Sequence, residues 1–143
     1  MKKTLLFLVI TLIFNYSNAQ KLVEKYNYAS GKTTETGKVD KNGFPIGEWQ
    51  YKLDNGALDY TINWEQNSIK KYFESGELKE TGTFIPETGV SIGKWISYYK
   101  NGTIKTIKTY DTNGVKNGEF KHYLKNGTLK TIETYNKGIK QEL

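Results

Sequence analysis

Residues 93–110 read GKWISYYKNGTIKTIKTY, and this stretch decides the fold. Aromatic and β-branched residues, the types that favour strands, dominate the runs on either side of Asn101-Gly102. An Asn-Gly pair between two such runs is the strongest short-range signal of a β-hairpin. The stretch therefore predicts two antiparallel strands joined by a tight turn.

The same pattern recurs along the chain. The spacing of nine residues between Gly93 and Gly102 is found again from Gly47 to Gly56 and from Gly118 to Gly127. Repetition in step predicts about five hairpin repeats that follow one another as an antiparallel meander, clearest over 93–117 and 118–143. We therefore expect an all-β, elongated, twisted and mostly single-layer sheet. The predicted turn residues are Asn55, Gly56, Ser75, Gly76, Asn101, Gly102, Asn126 and Gly127.

Turn chemistry also predicts the register of the hairpins. In a two-residue type I′ turn both central residues take positive φ, which suits Asn-Gly. With residues 55–56 in those positions, Leu53 faces Leu58 and Tyr51 faces Tyr60. The same register pairs Trp49 with Ile62, Phe73 with Leu78, Tyr99 with Ile104, Leu124 with Leu129 and His122 with Thr131.

The first residues have the composition of a secretory signal. Lys2-Lys3 precede an apolar run over 5–14, and Ser17 and Ala19 supply the small residues of a cleavage site. The alternative, a membrane anchor, needs a longer apolar run to cross the ~30 Å hydrocarbon core. We predict a cleaved signal helix over 1–19, one repeat domain over 20–143, and export to the periplasm, the cell envelope or the medium.

Composition excludes several kinds of site. The chain has no Cys and a single His, His122, which rules out disulfides, thiol nucleophiles and multi-His metal sites. It has no nucleophile elbow, phosphate loop or zinc helix, and Glu74 and Glu77 flank a turn where no cleft is expected. We expect no enzyme activity, no metal and no cofactor.

Charge is divided unevenly along the chain. Residues 20–92 hold nine lysines against 11 acidic residues, whereas residues 93–143 hold ten lysines against four. All basic residues are Lys, so bidentate Arg recognition of phosphate or guanine is missing and nucleic acid is not the expected partner. The basic half suits an acidic protein, an anionic lipid or a glycan. The alternative is a solvated lysine face that protects sheet edges.

Two binding hypotheses remain open. One is a protein-interaction repeat in which rigid aromatic side chains supply the contacts; the other is recognition of envelope glycan or anionic lipid by the aromatic, lysine-rich C-terminal half. A third possibility is that the aromatics only hold the sheet together. The candidate binding residues are Trp49, Trp64, Trp95, Tyr98, Tyr99, Lys105, Lys108, Tyr110, Tyr123 and Lys130.

The repeated unit resembles a known family. Gly-x-Trp or Gly-x-Phe, then aromatic residues, then Asn-Gly-x-Leu or Asn-Gly-x-Ile is similar to the bacterial variant of the MORN repeat, which includes proteins labelled YwqK-like antitoxins. The resemblance covers about residues 26–135. It implies single-layer hairpin repeats that bind and carry no established catalytic residues. Tyr98 and Tyr123 match a tyrosine of that unit, whereas Lys52 replaces it. An antitoxin-like role for an exported chain implies an immunity factor that acts outside the cytoplasm.

Overall fold

A computed structural model describes residues 20–27 and 32–142 of the chain. Eleven strands in this part form one open sheet in chain order, each antiparallel to the next, which confirms the predicted all-β meander. The predicted signal peptide lies outside the described residues. Among the residues described, no helix is long and apolar enough to cross a membrane. The strands are β1 (Lys21–Asn27), β2 (Lys32–Val39), β3 (Pro45–Lys52), β4 (Leu58–Asn63), β5 (Ser68–Tyr72), β6 (Leu78–Phe84), β7 (Ser91–Tyr98), β8 (Ile104–Tyr110), β9 (Gly118–Tyr123), β10 (Leu129–Asn136) and β11 (Ile139–Gln141).

The two faces of the sheet differ because side chains alternate along each strand and cross-strand partners share a face. One face, here called the aromatic face, carries Trp49, Trp95 and Phe120, together with the partners Ile62 and Lys108. The other, here called the reverse face, carries the residues that lie between these along each strand. The buried hydrophobic side chains are on the aromatic face: Trp49, Phe84 and Phe120 are 5%, 8% and 3% exposed.

In two of the repeats a Trp ring packs directly against a Gly on the preceding strand. Gly37 lies opposite the bulged run that contains Trp49, and a Cβ on Gly37 would come within 2.1 Å of the indole ring. The indole N–H donates to the carbonyl of Lys38 at 2.9 Å. The repeat that contains Trp95 has the same arrangement. Its indole ring lies over Gly82, and the indole N–H donates to the carbonyl of Thr83 at 2.9 Å. A single-layer sheet thus buries its largest side chains against its own backbone.

In the repeat that contains Phe120, aromatic rings pack on one another instead of on a glycine. Phe120 replaces Trp and lies 5.6 Å from Tyr110 and 4.7 Å from Tyr135, measured between ring centroids. Lys108, which pairs with Trp95, lies near the end of β8. The Lys116 ammonium, between β8 and β9, lies 4.8 Å from the centroid of the Tyr135 ring. The ring cluster makes Phe120 the most buried hydrophobic side chain among the described residues.

The predicted two-residue Asn-Gly turn is wrong. The N–H of Gly56 donates to the carbonyl of Leu53, the N–H of Leu53 donates to the carbonyl of Ala57, and Gly56 has φ of 87° while Asn55 is not among the residues with positive φ. This is a three-residue loop that ends in a left-handed glycine. The two-residue turn with both central φ positive is found instead at Lys137-Gly138.

The longer loop changes the pairing next to the turn and leaves the rest intact. A bulge follows the turn, so that Leu58, Leu78, Ile104 and Leu129 face Lys52, Tyr72, Tyr98 and Tyr123 rather than the predicted partners. Beyond the bulge the predicted pairs Trp49–Ile62, Tyr51–Tyr60 and His122–Thr131 are confirmed. The bulge absorbs the extra loop residue, and the repeated unit regains the predicted register within two residues.

Candidate functional site

 

An open groove lies between the last repeats on the aromatic face. The groove has a volume of about 330 Å³. We call it the C-terminal groove, and it brings together four of the ten candidate binding residues, two tyrosines and two lysines. The groove is lined by Tyr99, Lys105, Thr106, His122, Tyr123, Lys130 and Thr131.

Strand register places the floor of the groove. Thr106 of β8 pairs with His122 of β9, and His122 pairs with Thr131 of β10, so the three side chains form one row across three strands. Lys105 and Lys130 are the extra residues of the bulges that follow two of the turns. The bulges therefore set an exposed ammonium group beside each end of this polar row.

The wall of the groove is fixed by contacts between neighbouring hairpins. The Tyr99 hydroxyl donates to the carbonyl of Tyr123 at 2.8 Å, and the Thr103 hydroxyl donates to the carbonyl of Lys125 at 3.0 Å. The Lys105 ammonium lies 5.8 Å from the centroid of the Tyr99 ring, within the range of a cation–π contact. These contacts hold the Tyr99 ring in place before any ligand arrives, which lowers the entropy cost of binding.

The charges around the groove favour an anionic ligand. Lys105 and Lys130 are exposed, and neither forms an ion pair with another residue in the described part of the chain. The nearest acid to His122 is Glu133, with 4.0 Å between Nε2 and Oε2, and Glu133 already binds the Lys140 ammonium at 2.6 Å. The hydrogen bond from Lys140, followed by that from the Tyr135 hydroxyl, holds the pKa of Glu133 below its usual value. The groove can thus attract a carboxylate, phosphate or sulfate group without first displacing an acid from its lysines.

Acid–base chemistry has little support at the pair Glu74 and Glu77. A hydrogen bond from the Ser75 side chain is the main cause that lowers the pKa of Glu77. A general acid needs its pKa raised toward neutrality, so the shift runs in the wrong direction for that role. Among the described residues no group of three or more His, Cys, Asp or Glu side chains could hold a metal ion.

The remaining candidate residues lie elsewhere on the sheet. Trp49 and Trp95 cover Gly37 and Gly82 and have donated their indole N–H groups, so each is committed to the fold. Trp64 packs edge-on against Phe84 at 6.1 Å. Its buried Nε1 has no hydrogen-bond partner within the described residues.

Three further candidates are near the groove but do not line it. Tyr110 packs against Phe120, and burial is the main cause that raises its pKa. Lys108 pairs with Trp95, and Tyr98 pairs with Ile104 on the reverse face. The predicted turn residues at 55–56, 75–76, 101–102 and 126–127 all lie in hairpin turns at one end of the strands.

Sequence reasoning did not single out Thr106, His122 and Thr131 as site residues. The predicted register places His122 opposite Thr131, but treats the lone histidine as a packing or surface residue. Extending that register from β9 back to β8 would have placed Thr106 in the same row and indicated the groove floor. The strand register therefore contained the information needed to find this row, whereas the types of the three residues did not indicate a site.

Comparison with known proteins identifies the repeats that build the groove. Residues 92–112 and 116–137 match the family model described as the MORN repeat variant. MORN repeats are in general non-catalytic modules for binding. No curated protein and no solved structure matches the chain.

Proposed function

We propose that the protein is an exported, non-catalytic binding module whose C-terminal repeats engage an acidic surface of a partner protein. The observation that carries the proposal is the C-terminal groove, where two exposed lysines flank the half-buried Tyr99 and the polar row across β8, β9 and β10. Tyrosine supplies large contact area at low entropic cost, and lysines at the rim select a partner of opposite charge. An immunity or antitoxin-like binder is one form that such a module takes.

A second candidate is binding of an anionic glycan or lipid of the cell envelope. It is favoured by the threonine hydroxyls and the His122 ring that share the groove with Lys105 and Lys130. Hydroxyl, imidazole and ammonium groups in one row suit a ligand with several oxygen acceptors. The two candidates differ in whether a folded protein is needed for binding.

The test is crosslinking capture with the tagged full chain in the envelope of its source organism, read by mass spectrometry. The test variant carries Lys105→Glu and Lys130→Glu. The matched control carries Lys21→Glu and Lys41→Glu, the same change in charge at exposed lysines of the N-terminal half. We expect one dominant partner protein that is retained by the control and lost by the groove variant.

Two results would contradict the protein-binding proposal. Retention of the partner by the groove variant would show that binding takes place elsewhere on the chain. Retention of the chain on protease-treated envelope, lost at high salt and in the groove variant, would favour the glycan or lipid candidate. Circular dichroism of both variants checks that the sheet is intact.

Export is the remaining part of the proposal. The basic start, the short apolar run and the small residues before Gln20 support it. Amino-terminal sequencing of the protein from its own cells tests it, and we expect the mature chain to begin at Gln20. A chain found in the cytosol that still starts at Met1 would overturn export while leaving the binding proposal open to its own test.

A further inference from the structure

The reverse face changes character along the sheet. One row of cross-strand partners runs from β1 to β10, and its members from β1 to β6 are all polar: Glu24, Thr36, Gln50, Thr61, Lys70 and Thr81. From β7 to β10 the same row reads Ile96, Ile107, Lys121 and Ile132. The switch falls at β7, where the basic half of the chain and the matched repeats begin.

Apolar neighbours widen this row into a patch. Tyr98 lies two residues from Ile96 and pairs with Ile104, while Leu129 pairs with Tyr123 at the same level of the sheet. Leu129 and Ile132 are 45% and 38% exposed, and the other members are half-buried. We call this surface the aliphatic patch: Ile96, Tyr98, Ile104, Ile107, Leu129 and Ile132. Contiguous exposed apolar side chains on a soluble sheet mark an interaction surface.

Charges on the reverse face limit what covers the patch. Lys94 and Lys121 lie on this face of β7 and β9. Glu119 is the acidic residue that β7–β10 place there, and it is paired with Lys121 at 2.8 Å. Lys121 stands in the row itself, between Ile107 and Ile132, and its charge is offset by Glu119, so the exposed Lys94 leaves a net positive charge beside the aliphatic side chains. This charge complements a segment that has aliphatic residues on one side and acidic residues around them.

Backbone pairing limits the shape of the occupant. β7, β8 and β9 are hydrogen-bonded to a neighbour on both sides, so a partner cannot add to them as a further strand. It must dock through side chains on the face of the sheet, as an amphipathic helix does. From β7 to β10 the patch spans three strand spacings, ~14 Å. That width matches roughly ten residues of helix at ~1.5 Å per residue.

We propose that the aliphatic patch docks an acidic amphipathic helix of a partner protein. The patch lies on the opposite face from the C-terminal groove, so the two surfaces bind independently. The proposal therefore does not rest on the proposed function of the groove.

The test uses the full chain and synthetic peptides of 14 residues as probes. The first peptide has Leu at a helical stripe and Glu elsewhere, the second replaces Glu with Lys, and the third scrambles the stripe. Isoleucine methyl NMR locates the binding site, and fluorescence anisotropy gives the dissociation constant. We expect the acidic striped peptide to shift the methyls of Ile96, Ile107 and Ile132 and to leave Ile62 and Ile69 unchanged.

Variants separate the patch from a loss of folding. Ile107→Thr with Ile132→Thr keeps strand propensity and is expected to weaken binding of the acidic peptide at least tenfold. Ile69→Thr makes the same change on the aromatic face and should leave the affinity unchanged. Circular dichroism confirms that each variant is folded.

Four results would overturn the proposal. The first is equal binding of the basic or scrambled peptide, and the second is peptide-induced shifts confined to the aromatic face. The third is that vesicles containing phosphatidylglycerol shift the methyls of the patch while the acidic peptide does not bind. The fourth is concentration-dependent sedimentation with broadening of those methyls, which would assign the patch to a second copy of this chain.

Discussion

Replacement of Gly37 by Ala tests the packing of Trp49 on the sheet. A Cβ at this position would lie 2.1 Å from the indole ring, a separation that no real Cβ contact shows, so the ring must move. The moved ring cannot keep its 2.9 Å hydrogen bond to the carbonyl of Lys38. Both losses act on Trp49, which at 5% exposed is the most buried hydrophobic side chain among the described residues of the N-terminal half.

The expected loss of stability follows from three effects. Overpacking of a tight contact costs about 1–3 kcal/mol. Loss of the indole hydrogen bond costs about 1 kcal/mol. The lower entropy of the unfolded chain on Gly→Ala returns about 0.4–1 kcal/mol. We therefore expect Gly37→Ala to lower the free energy of unfolding by about 1–3.5 kcal/mol, the combined result of these effects.

The assay is urea unfolding followed by tryptophan fluorescence and circular dichroism, with a double-mutant cycle as the control. Trp49→Phe supplies a smaller ring that can move off Gly37 and has no N–H to lose from the Lys38 carbonyl, so Gly37→Ala should cost less in that background. The same change of ring occurs within the chain, because Phe120 stands where Trp49 and Trp95 stand in their repeats. A neutral or stabilising effect of Gly37→Ala in the wild-type chain, or equal costs in both backgrounds, would refute this account of the packing.

Three other predictions concern separate parts of the sheet. Trp64→Phe removes a buried N–H that has no partner in the described residues, so the free energy of unfolding should change by less than about 1 kcal/mol. Trp49→Phe removes a hydrogen-bonded N–H and should lower that free energy more, and urea unfolding compares the two variants. Gly102→Ala forces a side chain into φ of 82° and should cost about 1 kcal/mol, while Thr103→Ala, beside it, serves as the control for loss of a turn contact. Burial is the main cause that raises the pKa of Tyr51 and Tyr60, so their contribution to stability is complete below pH ~10 and is lost as the pH rises through the higher pKa values of the folded state. Tyr51→Phe should therefore reduce the fall in melting temperature at alkaline pH. An unchanged fall would contradict this prediction.

Much of the fold could be predicted because the repeated unit carries its own register. The spacing from Gly93 to Gly102 and the apolar pairs beyond each turn predicted the meander and the pairs Tyr51–Tyr60 and His122–Thr131. The turn type could not be read in the same way. Asn-Gly suits both a two-residue loop and a three-residue loop with a left-handed glycine, and the two differ by one bulged residue that sequence alternation does not record.

The candidate site was harder to predict than the fold. Tyr99, Lys105, Tyr123 and Lys130 were selected by residue type, and the structure places them around one groove. Trp49 and Trp95 were selected for the same reason, yet their rings lie on Gly37 and Gly82. An aromatic residue that binds and one that packs look alike in sequence, because the difference depends on the residue opposite it across two strands.

The order of the strands has a consequence for the way the chain matures. Every strand touches only the strands next to it in sequence, so each hairpin can be completed as soon as its second half is available. Such local pairing keeps contact order low and favours rapid folding from the N-terminus onward. A chain that emerges gradually would build its sheet one strand at a time, and the groove would come into being only when β10 docks. Premature termination before Leu129 would yield a shorter sheet with an incomplete groove, which has Tyr99 and Lys105 but lacks Lys130.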